Sequence, residues 1–499
     1  MRLVIDRSAR LLAGGTVVIG GRPARLLRLT PAGGRLVCAW RAGAAVDRTP
    51  GSQRLAQRLI AAGLAHPRLP GPDPWTTDDV AIVIPARDRP ELLARCLSRV
   101  GPARELVVVD DGSRDSAAIA SVAGAAAAVV VRQQRATGPA QARNAGAAAT
   151  SAPLIAFVDS DVRTDPDWLS GLIGHFADPR VAAVAPRVSV PAGDGAVLAY
   201  EAARSPLDLG DEPGLAGPGR RLGFVPAAAL IVRRAAFEAA GGFDAELAVG
   251  EDVDLVWRLS AASWTVRYEP SVVVEHPARA RPRAWLGQRL AYGSAAGPLA
   301  RRHPDAMRHL VVPRWAVAPW VLAAAGRPRA ALLAAAAGTG FVAARLPPVP
   351  GARLELLGFA ARAQLRVGRQ VLDAGWRAYP PLLAGAAVTC PRVRRPLAAG
   401  LAVAVAADWI TRRPRLDPIR FGGLRAVDDL AYATGVWLGC IRAGTASPLV
   451  PKLASGPGGR VRERPLSGGC RRSRPWPRRR RCRPRSSART CSGRPCPRA

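Results

Sequence analysis

Residues 157–162 read FVDSDV, the end of a short apolar run (154–158) followed by two aspartates spaced i and i+2. On a strand such residues share a face, so Asp159 and Asp161 can both reach one point beyond the strand end. Two carboxylates converging there suit a hard divalent cation, and Mg²⁺ or Mn²⁺ commonly shares one or two carboxylates with substrate phosphates and water. A nucleotide-diphosphate donor fits that description. Taken alone D-x-D is also an ordinary polar loop, so its meaning depends on its neighbours.

Toward the N-terminus, residues 80–84 and 105–109 are continuous apolar runs with β-branched bias, as strands buried on both faces require. The first ends at Pro85 and Asp88, the second at Asp110, Asp111, Gly112 and Ser113, where carboxylates can meet a nucleobase imide or a ribose hydroxyl. A helical pattern at 92–100, a strand at 129–132 and a helix start at GPAQARNAG (138–146), with Arg143 and Asn144 one turn in, complete the alternation. This order predicts an α/β domain with a mostly parallel sheet and a ligand at the carboxyl ends of its strands. No G-x-G-x-x-G follows the first strand, which argues against a dinucleotide enzyme.

Toward the C-terminus, residues 223–259 supply a strand at 228–232, a helix, a Gly241-Gly242-Phe243-Asp244 turn and an acidic helix start at Glu251-Asp252. Carboxylates in a first turn are stabilised by the helix dipole, so capping is the plain reading of that pair. Residues 266–274 read as a last strand pair, and Glu275, His276 and Pro277 follow it.

In order, VIPARDR, VVVDDGSRD, ARNAG and FVDSDV resemble the family 2 glycosyltransferases with the GT-A fold, over roughly residues 80–280. The resemblance implies transfer from a UDP-sugar, with Pro85, Asp88, Asp110, Asp111, Arg143, Asn144 and Asp159 around the nucleotide sugar. It implies Asp161 and His276 as ligands of Mn²⁺ or Mg²⁺ and Asp252 as the general base of an inverting displacement. Glu251, Trp257 and Arg258 are then candidates on the acceptor side.

The flanks divide the chain into residues 1–72, 76–300, 301–455 and 456–499. The first segment has helical spacing at 32–40 and 52–64 and ends in the turn-rich HPRLPGPDP (66–74). It resembles the small winged-helix peptide-recognition domains found with enzymes that modify ribosomally made peptides; a generic three-helix domain is the alternative. The 301–455 segment is Ala-rich and helical by composition. Its uncharged runs, 330–344 and 378–391, fall short of the roughly 18–20 residues a membrane span needs. Packing on the catalytic domain and interfacial attachment to an anionic membrane surface are the two roles it suits. Q-x-x-R-W, which processive membrane synthases of the family carry, is absent.

The formal charge of +35 over 499 residues would ordinarily suggest a nucleic-acid partner. Residues 456–499, however, hold fifteen Arg against one Glu, or +14 of that total, and elsewhere the excess is scattered. Lys452 is the only lysine, and the abundance of Ala, Arg, Gly and Pro points to coding bias, so no specific nucleic acid is implied. The tail is expected to be disordered, or a GC-rich stretch read in a shifted frame. Cys38, Cys96, Cys390 and Cys440 form no C-x-x-C pattern, and Asp6, Arg7 and Arg10 interrupt any secretory signal. A reducing cytoplasm is expected, at most the inner face of the cell membrane.

The N-terminal likeness, AGLAHP (62–67) and YGSAAGPLARRHP (292–304) are together similar to a branch of the family that adds short β-linked glucose chains to a redox cofactor made from a ribosomal peptide. The partners implied are a peptide-derived small-molecule acceptor and a peptide or biosynthetic enzyme held by residues 1–72. Glycosylation of a polyprenyl carrier or a cell-wall glycan, and a noncatalytic peptide-binding scaffold, are the competing readings.

Overall fold

The computed structural model describes residues 1–68, 74–191, 193–346, 348–349 and 351–454. The arginine-rich tail, with Cys470, Cys482, Cys491 and Cys496, lies outside the described residues, as does most of the linker that ends the first segment.

The chain opens with β1 (Arg2–Ile5), β2 (Arg10–Leu12), β3 (Val17–Gly20), β4 (Arg25–Arg28), α1 (Pro31–Arg41), α2 (Pro50–Ala61) and β5 (Ala65–Arg68). β2, β3 and β4 form an antiparallel sheet and β1 pairs with β5. α1 opens at Pro31 behind the N-cap Thr30, whose hydroxyl accepts the Gly33 N–H at 3.1 Å. Val18, Val37, Trp40, Leu59 and Leu64 close a core of their own.

The catalytic segment then runs β6 (Val80–Ala86), α3 (Pro90–Leu97), β7 (Glu105–Asp111), α4 (Ser116–Ala125), β8 (Val129–Gln133), α5 (Pro139–Ala148), β9 (Leu154–Val158), α6 (Ser170–Ile173) and β10 (Val181–Ser189). It continues through α7 (Ala196–Arg204), β11 (Gly214–Ala216), β12 (Ala229–Arg233), α8 (Arg234–Ala239), α9 (Glu251–Ala261), β13 (Thr265–Glu275), α10 (Pro282–Ser294) and α11 (Ala296–Arg302). Eight strands form one sheet in the order β11-β13-β10-β12-β9-β6-β7-β8. β9, β6, β7 and β8 are parallel, as expected, while β12 runs antiparallel between β9 and β10. The expected strand pair at 266–274 is instead one strand: β13 follows β10 in parallel, and the register jumps from Pro186↔Glu269 to Arg187↔Val273, so a bulge absorbs the polar Pro270-Ser271 break. β9 pairs with β6 only as far as Val83, whereas β7 continues to Ala86. Pro85, which has no N–H to give, therefore sits where one side of β6 has opened.

The remaining elements are β14 (Val311–Pro313), α12 (Val317–Ala324), α13 (Pro328–Arg345), α14 (Arg353–Ala378), α15 (Pro380–Thr389), α16 (Arg394–Arg412), α17 (Pro418–Arg442) and β15 (Lys452–Ala454). No helix among the described residues is long and apolar enough to cross a membrane. α17 lies directly on α10 and α11, backbone to backbone. A Cβ on Gly293 would overlap the carbonyl oxygen of Tyr432, and one on Gly435 that of Leu290. A buried ionic network joins α17 to α7, α14 and α16. Arg204 donates to Asp428 at 2.6 Å and the Tyr200 hydroxyl donates to it at 2.8 Å, while Arg425, fully buried, lies 2.9 Å from Asp408 and donates to Asp373 at 2.8 Å. The packing of α10 and α11 on α17 therefore crosses position 300.

Candidate active site

The strand ends of β6, β7 and β9 converge with the first turn of α9 on one polar site. Arg143, buried on α5, links its two halves: one guanidinium nitrogen donates to Asp159 Oδ1 at 2.6 Å and the other to Glu251 Oε1 at 2.8 Å. Burial alone would lower the basicity of Arg143, and the two carboxylates reverse this and raise its pKa. The Phe243 ring covers the guanidinium at 5.4 Å. Charge-assisted bonds of this kind, shielded from water, fix Asp159 and Glu251 relative to each other across 92 residues of chain.

Asp159, Asp161 and His276 each offer a ligand atom within 4.8 Å of the other two. His276 Nε2 lies 3.4 Å from Asp161 Oδ1. Burial raises the Asp161 pKa, the His276 charge pulls it down and Asp159 raises it again, so a divalent cation would relieve a real electrostatic cost here. Two carboxylates and an imidazole suit Mn²⁺ and, less completely, Mg²⁺. Beneath them the Cys96 thiol is pushed up to about 12, by burial first and by Asp161 and Asp159 next, which leaves it an inert core group.

Asp252 stands at the second helical position of α9, after Gly250 at φ +87°. Its carboxylate accepts the Val253 N–H at 2.8 Å and the Ala227 N–H at 3.4 Å. Its pKa is pushed up to about 7, by burial first and then by the Glu251 charge. A carboxylate poised near neutrality is suited to accept a proton, and this is more than capping alone requires. Tyr292 on α10 carries the same influence: burial, then the Asp252 charge, pushes its phenol up to about 12. The Gln288 side-chain amide donates to Tyr292 Oη at 3.0 Å.

Several residues expected at the site serve instead to build it. The Asn144 amide donates to the Phe243 carbonyl at 2.7 Å and accepts the Phe243 N–H at 2.9 Å, so it pins the Gly-Gly-Phe-Asp turn. A Cβ on Gly242, at φ +71°, would stand 2.7 Å from that same amide oxygen. Asp110 is buried against Arg132 and accepts the Ser113 N–H at 2.8 Å. Asp111 accepts the N–H groups of Thr137 at 2.6 Å and Gly138 at 2.9 Å, which holds the loop that opens α5. Asp88 accepts the Arg114 N–H at 2.9 Å and, like Arg89, has positive φ, a strained turn of the sort that clusters at functional sites. Arg258 bonds Asp254 at 2.7 Å, the Ala240 carbonyl and the Gly242 carbonyl, capping α8. Trp257 is core, its indole donating to the Gly223 carbonyl at 2.8 Å.

His303 was not legible as a site residue. Its Nε2 lies 2.8 Å from Asp254 Oδ1 and its ring meets Trp257 edge-on at 5.2 Å. Burial raises the Asp254 pKa, but the His303 hydrogen bond and the Arg258 charge more than offset this and hold it below its ordinary value. The one available signal was the RRHP end of the 292–304 motif.

Comparison with known proteins agrees with this geometry. The family model for "Glycosyl transferase family 2" matches residues 81–238. The chain is 39% identical over 462 residues to the pre-mycofactocin glycosyltransferases of Mycobacterium tuberculosis strains CDC 1551 / Oshkosh and ATCC 25618 / H37Rv, covering 90% of this chain and 97% of theirs. It is 38% identical over 103 residues to the succinoglycan biosynthesis protein ExoU of Rhizobium meliloti strain 1021, covering 19% of this chain and 30% of that one. Among solved structures it is similar to the mannosyltransferase PcManGT from Pyrobaculum calidifontis in complex with GDP-Man and Mn²⁺, with 21% identity and a TM-score of 0.39 over 64% of this chain and 91% of that one. The matched motifs, together with identity sustained over nearly the whole length of the mycobacterial relatives, mean that the chain belongs to glycosyl transferase family 2 and is a glycosyltransferase of the GT-A type.

Proposed function

We propose that the protein transfers glucose from a UDP-sugar to a mycofactocin precursor with inversion, building a short β-linked oligosaccharide. The observation that carries the reading is the Arg143 bridge, which ties the D-x-D strand end to the Glu251-Asp252 helix start and so unites a donor half with a half that holds a base. The acceptor identity rests on the similarity to pre-mycofactocin glycosyltransferases.

In this mechanism Asp252 takes the proton of the acceptor hydroxyl as that oxygen attacks the anomeric carbon from the face opposite the leaving nucleotide. Glu251 holds Arg143, the residue this reading assigns to the donor phosphates. Asp159, Asp161 and His276 would hold Mn²⁺ or Mg²⁺, which when bound neutralises charge on the departing diphosphate. Pro85 and Asp88 border the opening beside β6 where the nucleoside would lie. For a peptide or a biosynthetic enzyme held by residues 1–72, we propose the cleft of about 800 Å³ lined by Asp6, His66, Trp75, His175, Asp211 and Glu269.

The test is mass spectrometry of small molecules after incubation with UDP-glucose, other UDP-sugars and candidate acceptors, including a lipid-extract arm. Hexose added to the peptide-derived acceptor with a β linkage is the expected product. Transfer only to a polyprenyl or glycan acceptor would reassign the substrate, and donor hydrolysis without transfer to any acceptor would leave only the donor half of the proposal standing.

A further inference from the structure

Large apolar side chains are exposed unevenly over this molecule. Between residues 74 and 302, among the described residues, only Val129, Val130 and Val273 are exposed. On the helices that follow, Leu332 and Leu333 are each 72% exposed, Val388 75% and Ile410 64%, and Leu382 and Val403 are also exposed. These six lie on α13, α15 and α16, and α14 and α17 carry further exposed ones, among them Leu354, Leu365, Ile419 and Ile441. A surface this rich in leucine and valine on a folded chain marks a binding face more often than a neutral feature.

The charge around that face is one-sided. Residues 314–451 hold eighteen arginines and six carboxylates. Of the six, Asp408, Asp428 and Asp429 are buried in the ionic network and Asp373 is paired with Arg425. Only Glu355 and Asp417 remain as exposed acids, while Arg392, Arg394 and Arg395 stand exposed at the junction of α15 and α16. The fold has drawn its carboxylates inward and left an outer face of hydrocarbon and guanidinium.

From this we infer that the outer faces of α13, α15 and α16 dock on an anionic phospholipid bilayer, the apolar side chains entering the acyl boundary and the arginines meeting lipid phosphates. No helix among the described residues there can span, so the attachment is interfacial. Pairing with a second copy would press arginine against arginine, whereas phosphates complement them. The inference goes beyond the transferase reading, since neither the sugar nor its acceptor enters it.

Flotation of the full chain with vesicles tests the inference. The protein should float with vesicles containing about 30 mol% phosphatidylglycerol, at least tenfold less with pure phosphatidylcholine, and less again when salt screens the arginines. Leu332→Glu with Leu333→Glu should cut the bound fraction at least tenfold, and Arg392→Glu with Arg395→Glu should do so independently. Both variants alter exposed residues, so their melting temperatures and turnover on a water-soluble acceptor should match the wild type. Wild-type protein that stays unbound at about 30 mol% anionic lipid overturns the inference, as does a leucine variant that floats normally. A wild-type dimer that the leucine variant converts to monomer, with no flotation by either, would assign the face to self-association instead.

Discussion

At Asp252 the proposed base and the helix-cap reading make opposite predictions. A carboxyl whose pKa is about 7 in the folded protein against an ordinary 3.8 binds a proton more readily folded than unfolded. On account of this group, stability falls as pH rises from about 4 to about 7 and is then level. Asp252→Asn should therefore hold or raise the melting temperature above pH 7, whereas loss of a cap would lower it. The same substitution should cost about 10² to 10⁴ in transfer while UDP-sugar binding stays near normal. Because a base must be unprotonated to act, wild-type kcat/KM should climb with pH through about 7, and single-turnover transfer by the variant should lose that limb. Near-normal transfer by the variant would move the role to Glu251. At the cation site, Asp161→Ala should abolish the Mn²⁺ dependence of UDP-sugar binding, and an unchanged metal titration would remove the assignment. Asn144→Ala tests whether that amide builds the site or binds the donor: loss of two backbone hydrogen bonds should cost roughly 1–3 kcal/mol of stability in a denaturant titration. A fall in donor affinity without that loss would return Asn144 to the nucleotide.

Among the elements, the strands that are buried on both faces were the legible ones. β6, β7 and β9 are short apolar runs with β-branched bias, and each ends in a carboxylate or has one within two residues of its end, Asp88, Asp111 and Asp159. β10 escaped because VAAVAPRVS dilutes its valines with as many alanines and has a proline inside it, and β13 was divided in two because Glu269-Pro270-Ser271 looks like a turn and is a bulge. Side-chain partners separated by long stretches were not legible at all: nothing in the sequence ties Arg143 to Glu251 or His303 to Asp254, since these contacts exist only once α5, α9 and α11 are packed. The same holds for the α10–α17 seam, whose glycines read as ordinary helix interruptions. Gly435→Val would drive a branched side chain into the Leu290 carbonyl, and overpacking there should cost about 1–3 kcal/mol or more. Reduced thermal stability with intact donor motifs is the expected result, read by calorimetry beside UDP binding.

For the whole molecule, the divisions proposed from sequence are divisions of composition more than of structure. A chain ending after Ser455 keeps β15, which pairs with β14, and should retain full turnover. Loss of activity on that cut would give the tail a function. Removing residues 1–72 should raise the acceptor concentration required while donor hydrolysis persists. It should also lower solubility, because Leu12, Val17 and Ile19 share a hydrophobic cluster with Val349, Ala352 and Leu356. Arg425→Ala should be far more damaging than either change at the surface. It removes the one fully buried partner of Asp408 and Asp429 and leaves them to Arg204, Arg369 and Arg377, a loss approaching the roughly 3–5 kcal/mol of a broken buried pair and readable as a fall in the denaturation midpoint. The glycine seam carries this further. Where two helices touch through carbonyl oxygens there is no side chain that can give way, so any side chain added at these glycines forces α17 away from α10 and α11. Melting of the sheet and of the C-terminal helices should accordingly be a single calorimetric event, and heritable change in the outer helices is free to alter what the enzyme adheres to only where it leaves Gly293, Gly297, Gly435 and Gly439 untouched.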